Sequence, residues 1–306
     1  IKEAAFGEYT KAILFDYSYK YFYGDGYGKD FYVLNLDTEK FDETRVPVLL
    51  LANTMSFYEQ MLVFKKSGEQ IQPYNIEKPL WIFLGGRVQE DDVDFKSDIL
   101  EVIIFLNWIL TEHESEIKLQ INKILKGESG ILDDKKKDVF APRFPEKNFS
   151  YLRQEKITPE EIYHGLLQEI FYTIPGVTGR RLRLINIKNA EGEIGLKAGN
   201  ADNYFGVINI GNKSNFINLV EKECPTIIIE TDVTGPSLFD VINEKTSSVN
   251  ILIGAKKFIE GWNSWRVSNM GLLNVGKGEG PQIIQLFGRG VRLKGKDSTL
   301  KRSRFL

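Results

Sequence analysis

The sequence predicts an α/β protein built on a mostly parallel sheet. Two observations carry this. The run 79-PLWIFLGGR-87 is a short apolar stretch stopped by two glycines, the pattern of a strand buried on both faces with a loop at its carboxyl end. From residue 204 onward, short apolar runs alternate with helical patterns, as successive βα units do.

In chain order, 12-AILFDY-17 reads as a strand, followed by the aromatic, glycine-punctuated segment 18-SYKYFYGDGYGKDF-31 and a second strand, 31-FYVLNL-36. Gly24, Gly26 and Gly28 suggest a phosphate loop, but no Lys-Ser/Thr pair follows and no helix pattern opens there, so the segment reads as a turn-rich connection. Next come a strand or buried run, 46-VPVLLLA-52, and an amphipathic helix around Met55–Phe64. Ser97 can cap a long helix reaching about Lys126, whose second half lines up Ile117, Ile121, Ile124 and Leu125 on one face. Residues 127–150 are polar, with Pro142 and Pro145, and Pro159 begins a further helix to about Tyr172.

In 181-RLRLINIKNAEGEIGLKAG-199 two alternating runs flank Asn189–Gly192, a hairpin pattern. After 204-YFGVINIG-211 the expected order is helix 215–223, strand 226–230, helix 236–244, strand 249–254, strand 270–275 and helix 281–292. Ligands of such sheets lie at the carboxyl ends of strands, which directs attention to 85–89, 254–266 and the start of the last helix.

Composition narrows the function classes. With 306 residues there is room for about two domains, or one core domain with large insertions. The most apolar segment, 102-VIIFLNWIL-110, falls far short of the roughly 20 residues of a membrane span. No basic stretch followed by an apolar one opens the chain at Ile1, so no signal peptide is expected, a cytoplasmic location fits, and the chain is expected to belong to a longer protein. Cys224 is the single cysteine, which excludes an internal disulfide and a cysteine zinc site; His113 and His164 are far apart, which argues against a metal site built on them. The net charge of −2 is uninformative, but from Arg289 to Leu306 there are seven basic residues against one acid, Asp297, a distribution suited to a polyanion.

The chemistry concentrates in 282-QIIQLFGRGVRLKGKD-297. Arg289 and Arg292, spaced i, i+3, share one side of a helix, and two fixed guanidiniums suit phosphate oxygens. Gly288 removes a side chain where something can approach closely. About two dozen residues earlier, 255-AKKFIEGWN-263 follows a strand and ends in a Gly-Trp-Asn turn.

The order strand, GW(D/N), strand, QxxGRxxR resembles motifs V and VI of superfamily-two helicases, with 79-PLWIF-83 in the place of motif IV. These motifs belong to the second RecA-like domain of that motor. The chain is most similar to the Res subunit of type III restriction enzymes. That likeness rests on 16-DYSYKYFYGDGYGKD-30, on 204-YFGVINIG-211 and on 253-IGAKKFIEGWNSWRVSNMGLLNVGKGEGPQIIQLFGRGVRLKGK-296. The resemblance implies a RecA-like parallel sheet over 79–306 with a helical insertion about 95–175 and a β-hairpin insertion about 180–200. Residues 1–78 would form the connection from the first motor domain.

It also implies roles. Arg289 and Arg292 would reach the γ-phosphate of an ATP held mainly by the first motor domain, as arginine fingers. Gln285 would hydrogen-bond near the nucleotide or couple to the other domain, and Gly288 would lie near the nucleotide. Gly261 and Asn263 match the motif V turn; Asn263 stands where many relatives carry Asp, so it keeps an acceptor and loses the charge. Gly86, Arg87, Lys256 and Lys257 would contact the DNA backbone. Phosphate-loop and DEAD-like acid motifs are absent from the sequence, so Mg²⁺ and most of the ATP would be held by the first RecA-like domain, and this chain alone is expected to be inactive. Asp133-Asp134-Lys135 is a charge run and not a nuclease motif; the nuclease of a Res subunit would lie beyond Leu306. The helical insertion is a candidate surface for the modification methyltransferase or for duplex DNA. Two alternatives share these residues: a DNA- or partner-binding module of the same fold, and another superfamily-two motor of a defence or repair system.

Overall fold

The computed structural model describes residues 18–34, 45–85, 98–111, 113–133, 135–142, 148–255, 262–273 and 287–302. Its centre is a seven-stranded sheet flanked by helices, an α/β arrangement consistent with a RecA-like fold. The strands are β1 (Leu80–Gly85), β2 (Leu182–Ile187), β3 (Glu193–Ala198), β4 (Gly206–Asn209), β5 (Ile228–Asp232), β6 (Ile251–Ala255) and β7 (Val267–Leu273), in the order β5-β2-β3-β4-β6-β1-β7. Neighbours pair in parallel except at β3, which runs against both β2 and β4. The expected hairpin is therefore part of the central sheet, and its outer strand β2 takes β5 as a parallel partner.

The sheet core follows from alternation along β1. Trp81 and Phe83 face a large cluster formed with the helices, while Leu80, Ile82 and Leu84 face a smaller cluster with Leu238, Ile242, Val249, Leu252 and Val267. A strand buried on both faces writes an unbroken apolar run, which is why β1 and β6 are plain in the sequence. A bulge between Leu80 and Trp81 shifts the register where β1 meets β7.

The helices are α1 (Tyr19–Gly24), α2 (Val46–Ile71), α3 (Asp98–Leu110), α4 (Glu114–Lys126), α5 (Ser150–Gln154), α6 (Pro159–Gly165, continued as a π-turn to Ile170) and α7 (Lys213–Glu223). Several differ from expectation. The aromatic segment opens as α1, because Tyr19, Phe22 and Tyr23 fall on one helical side and their rings touch. Residues 31–34 form no strand, and Phe31, Tyr32 and Val33 are about half exposed; 12–17 lie outside the described residues. The run 46–52 is the start of α2: Pro47 sits in the first turn, where proline is tolerated, and nothing before Met55 interrupts the helix. Leu51, Met55 and Tyr58 of α2 lie in the same cluster as Trp81, so the boundary expected at 78/79 divides the chain order and not the packing.

The single helix expected up to Lys126 is two. The apolar α3 buries nine of its thirteen residues, whereas α4 buries only Ile117, Ile121 and Ile124 on one face, and the break lets both turn apolar surface to one core. Helix α6 starts at a capping box between Thr158 and Glu161. Residues 236–244 form successive turns instead of a helix. There the Glu193 carboxylate accepts the N–H groups of Leu238 and Phe239 and the Ser237 hydroxyl, while Ile242 and Glu244 donate only three residues back, the tighter pattern that does not propagate. Among the described residues no helix is long and apolar enough to cross a membrane.

Candidate functional site

Residues 287–290 form a helical turn, closed by Val291 N–H donating to Phe287 O at 3.0 Å, with Arg292 just beyond. The close approach expected at Gly288 is made at Gly290, where a Cβ would lie 2.4 Å from Met270 Cε. Among the described residues nothing lies within 4 Å of a Cβ placed at Gly288. Gly290 thus packs against Met270 of β7, one of the two edge strands.

Arg292 is held from two sides. Its Nη2 donates to Asn263 Oδ1 at 2.5 Å, and its Cζ lies 5.1 Å from the centroid of the Trp265 ring. Asn263 is fixed in turn by Asn243 Nδ2, which donates to its backbone carbonyl at 3.0 Å. The Asn263 acceptor anticipated for a nucleotide thus also takes a hydrogen bond from within the chain. Burial, and then the neighbouring positive charge of Arg289, draw the Arg292 pKa below its usual value. The Nε of Arg292 and the Nη1 of Arg289 are buried and have no hydrogen-bond partner among the described residues. Buried guanidinium donors without acceptors are costly, and oxyanions satisfy them best.

Two further residues build this corner and escaped the sequence reading. Arg266, almost fully buried, donates to the carbonyls of Lys78 (3.0 Å), Val249 (2.7 Å), Pro79 (3.4 Å) and Ile242, tying the start of β7 to the segments entering β1 and β6. Burial lowers its pKa to about 10. It is a structural tie that places Asn263 and Trp265. Lys29 is the other. Gly28 forms an antiparallel bridge with Arg292, Lys29 N–H donates to Val291 O at 2.7 Å, and Lys29 Nζ reaches Val267 O at 3.1 Å. Burial, followed by the Arg292 charge, lowers the Lys29 pKa to about 8 against an opposing pull from Glu77. That glutamate pairs with Lys294 at 3.1 Å. The glycine-punctuated segment 18–31, which places Lys29 directly after Gly28, was the available signal for Lys29.

The arginine pair therefore stands beside 263–267, at the amino end of β7. The carboxyl-end positions expected to hold ligands fall largely outside the described residues, as do Gln285, Gly261, Gly86, Arg87, Lys256 and Lys257. Of the residues named for nucleotide and DNA, the structure brings together Arg289, Arg292 and Asn263, with Gly288 in the adjoining turn.

Elsewhere Glu114, Glu160 and His164 bring possible metal-ligand atoms within 4.8 Å of one another. Lys118 lies 3.1 Å from Glu114 and 3.7 Å from Glu160, and Arg180 lies 3.7 Å from Glu114. The hydrogen bond from Lys118, above all, holds the Glu114 carboxyl below its usual pKa. With two cations already neutralising it, the group is an ion-pair network joining α4 to α6. Searches against family models, curated proteins and solved structures find no match to the chain.

Proposed function

We propose that this chain is the second RecA-like motor domain of an ATP-dependent DNA translocase of superfamily two, in the manner of the Res subunit of a type III restriction enzyme. In this reading Arg289 and Arg292 complete an ATP site whose phosphate loop and Mg²⁺ belong to a first motor domain. The observation that supports it is the state of the two guanidiniums. They lie side by side, one clamped by Asn263 and Trp265, and each carries a buried donor with no acceptor among the described residues. Such pre-positioned cations stabilise charge that builds on a transferring phosphoryl group, at no cost of reorganisation during the reaction.

The residues fit ATP phosphates and do not fit Mg²⁺. Glu77, the acid that acts on Lys29, is engaged by Lys294, so no step is assigned to a metal on this chain. The DNA-facing role stays with Gly86, Arg87, Lys256 and Lys257, and the methyltransferase with the helices between β1 and β2.

The test uses the intact motor carrying this chain. Arg289→Ala and Arg292→Lys are each expected to lower kcat for DNA-stimulated ATP hydrolysis by two to three orders of magnitude, roughly 3–4 kcal/mol of transition-state stabilisation, with DNA affinity retained. Thermal unfolding is measured on the same proteins. A destabilised Arg289→Ala variant with normal ATPase per folded molecule would make these arginines structural and end the proposal.

A further inference from the structure

We propose that Lys29 is a third phosphate-gripping cation beside Arg289 and Arg292, and that the three together seat a compact polyphosphate such as the terminal phosphates of a nucleotide. Its natural ligand rests on the reading above; its chemistry rests on the cluster itself.

The backbone of Lys29 is clamped on both sides. Its N–H goes to Val291 O, and its carbonyl accepts the Tyr19 hydroxyl at 2.5 Å. Gly28 makes this possible, since a Cβ there would fall 2.9 Å from the Tyr19 oxygen. The side chain is thereby delivered to the start of β7, where one of its three donors is used on Val267 O. Lys29 and Arg292 are close enough for the charge of one to lower the pKa of the other, and Arg292 stands in the same relation to Arg289. Like charges gathered this way oppose folding unless something offsets them. Glu77 is committed to Lys294, and Arg289 Nη1 and Arg292 Nε have no acceptor among the described residues.

A group that satisfies several donors and several positive charges in one small space must carry many oxygens and high negative charge. Phosphate chains have both properties. The donors come from two distant parts of the chain to the start of β7, Lys29 at Val267 and Arg292 at Asn263 and Trp265, which suits a compact terminal phosphate better than the extended track of a nucleic-acid backbone.

The 306-residue chain is titrated with tripolyphosphate at low ionic strength, without divalent metal, by calorimetry. Lys29→Met is expected to weaken binding about tenfold, the worth of one charge-assisted hydrogen bond, and Lys29→Arg to restore most of it. Lys20→Met, in α1 and exposed, is the control for loss of charge alone. Urea midpoints of all variants confirm that folded protein is compared. Unchanged affinity in Lys29→Met, or an equal loss in Lys20→Met, overturns the proposal. A parallel arm uses a duplex oligonucleotide: if Lys29→Met weakens the duplex and spares tripolyphosphate, the lysine serves a DNA backbone and the polyphosphate seat is wrong. The motor reading fails separately. Tripolyphosphate binding that depends on Lys29, with an intact motor indifferent to Arg289→Ala and Arg292→Lys, leaves the anion site standing and removes the arginine fingers.

Discussion

The side-chain oxygen of Asn263 accepts a hydrogen bond from Arg292, and the same guanidinium lies against Trp265. Two residues of one turn thus orient an arginine that belongs to a separate element. A neutral amide holds the guanidinium without cancelling its charge, so the charge remains available to a ligand.

Replacing that amide by a carboxylate tests the arrangement. Asn263→Asp would turn a hydrogen bond into an ion pair, and such a partner competes with phosphate for Arg292. If the chain serves the proposed motor, the expected outcome in the intact protein is an unchanged or slightly raised melting temperature with kcat for ATP hydrolysis reduced about tenfold or more. Asn263→Ala should lower kcat as well, through a loosened Arg292. Were Asn263→Asp to hydrolyse ATP faster than the parent, the neutral amide would not be the feature that keeps Arg292 free.

Charge burial also sets a pH dependence. Lys29 and Lys78 both have their pKa lowered from 10.5 to about 8, first by burial and then by nearby cations. The unfolded chain keeps both protons up to about pH 10.5, whereas the folded chain begins to release them near pH 8. Between these limits the unfolded state binds more protons, so stability rises with pH. Tyr58 and Tyr204, raised to about 12 chiefly by burial, act in the opposite sense above pH 10, so the measurement stays below that. Urea unfolding at pH 7.5, 8.5 and 9.5 should show increasing stability, with a smaller rise in the Lys29→Met, Lys78→Met double variant. Parallel curves for parent and variant would mean that neither lysine is charged at a cost in the folded protein.

How much of this was legible in the sequence depended on whether the information is local. β1 and β6 announce themselves because a strand covered on both faces has no polar positions, and the β2–β3 hairpin shows because its sides alternate around Gly192. The first turns of α2 did not show, since Val46, Val48 and Leu50 satisfy a strand and a buried helix equally; tertiary packing against Trp81 decides it. Residues 236–244 stay as turns in which Ile242 and Glu244 donate only three residues back, and their first N–H groups go to Glu193, an acceptor from another strand that no local pattern announces. The spacing of Arg289 and Arg292 was plain. Its supports were not, for Gly290 matters through Met270 and Lys29 arrives from the other end of the chain.

The helices between β1 and β2 hang partly on one buried acid. Glu59 of α2 accepts the N–H groups of Tyr151 at 2.7 Å and Leu152 at 3.2 Å, at the start of α5. Burial raises its pKa and those two hydrogen bonds oppose the rise, so the carboxylate is costly to desolvate but well used. Glu59→Ala would leave two backbone donors without their acceptor in a buried position, at about 1–3 kcal/mol each where no water replaces it. The expected loss is therefore roughly 2–6 kcal/mol, read from the urea midpoint. Glu59→Gln keeps an amide oxygen in the same place and removes the cost of burying a charge, so its midpoint should stay within about 1 kcal/mol of the parent. The comparison separates acceptor from charge. Equal losses in Ala and Gln variants would show that the negative charge, and not the acceptor, holds α5 to α2.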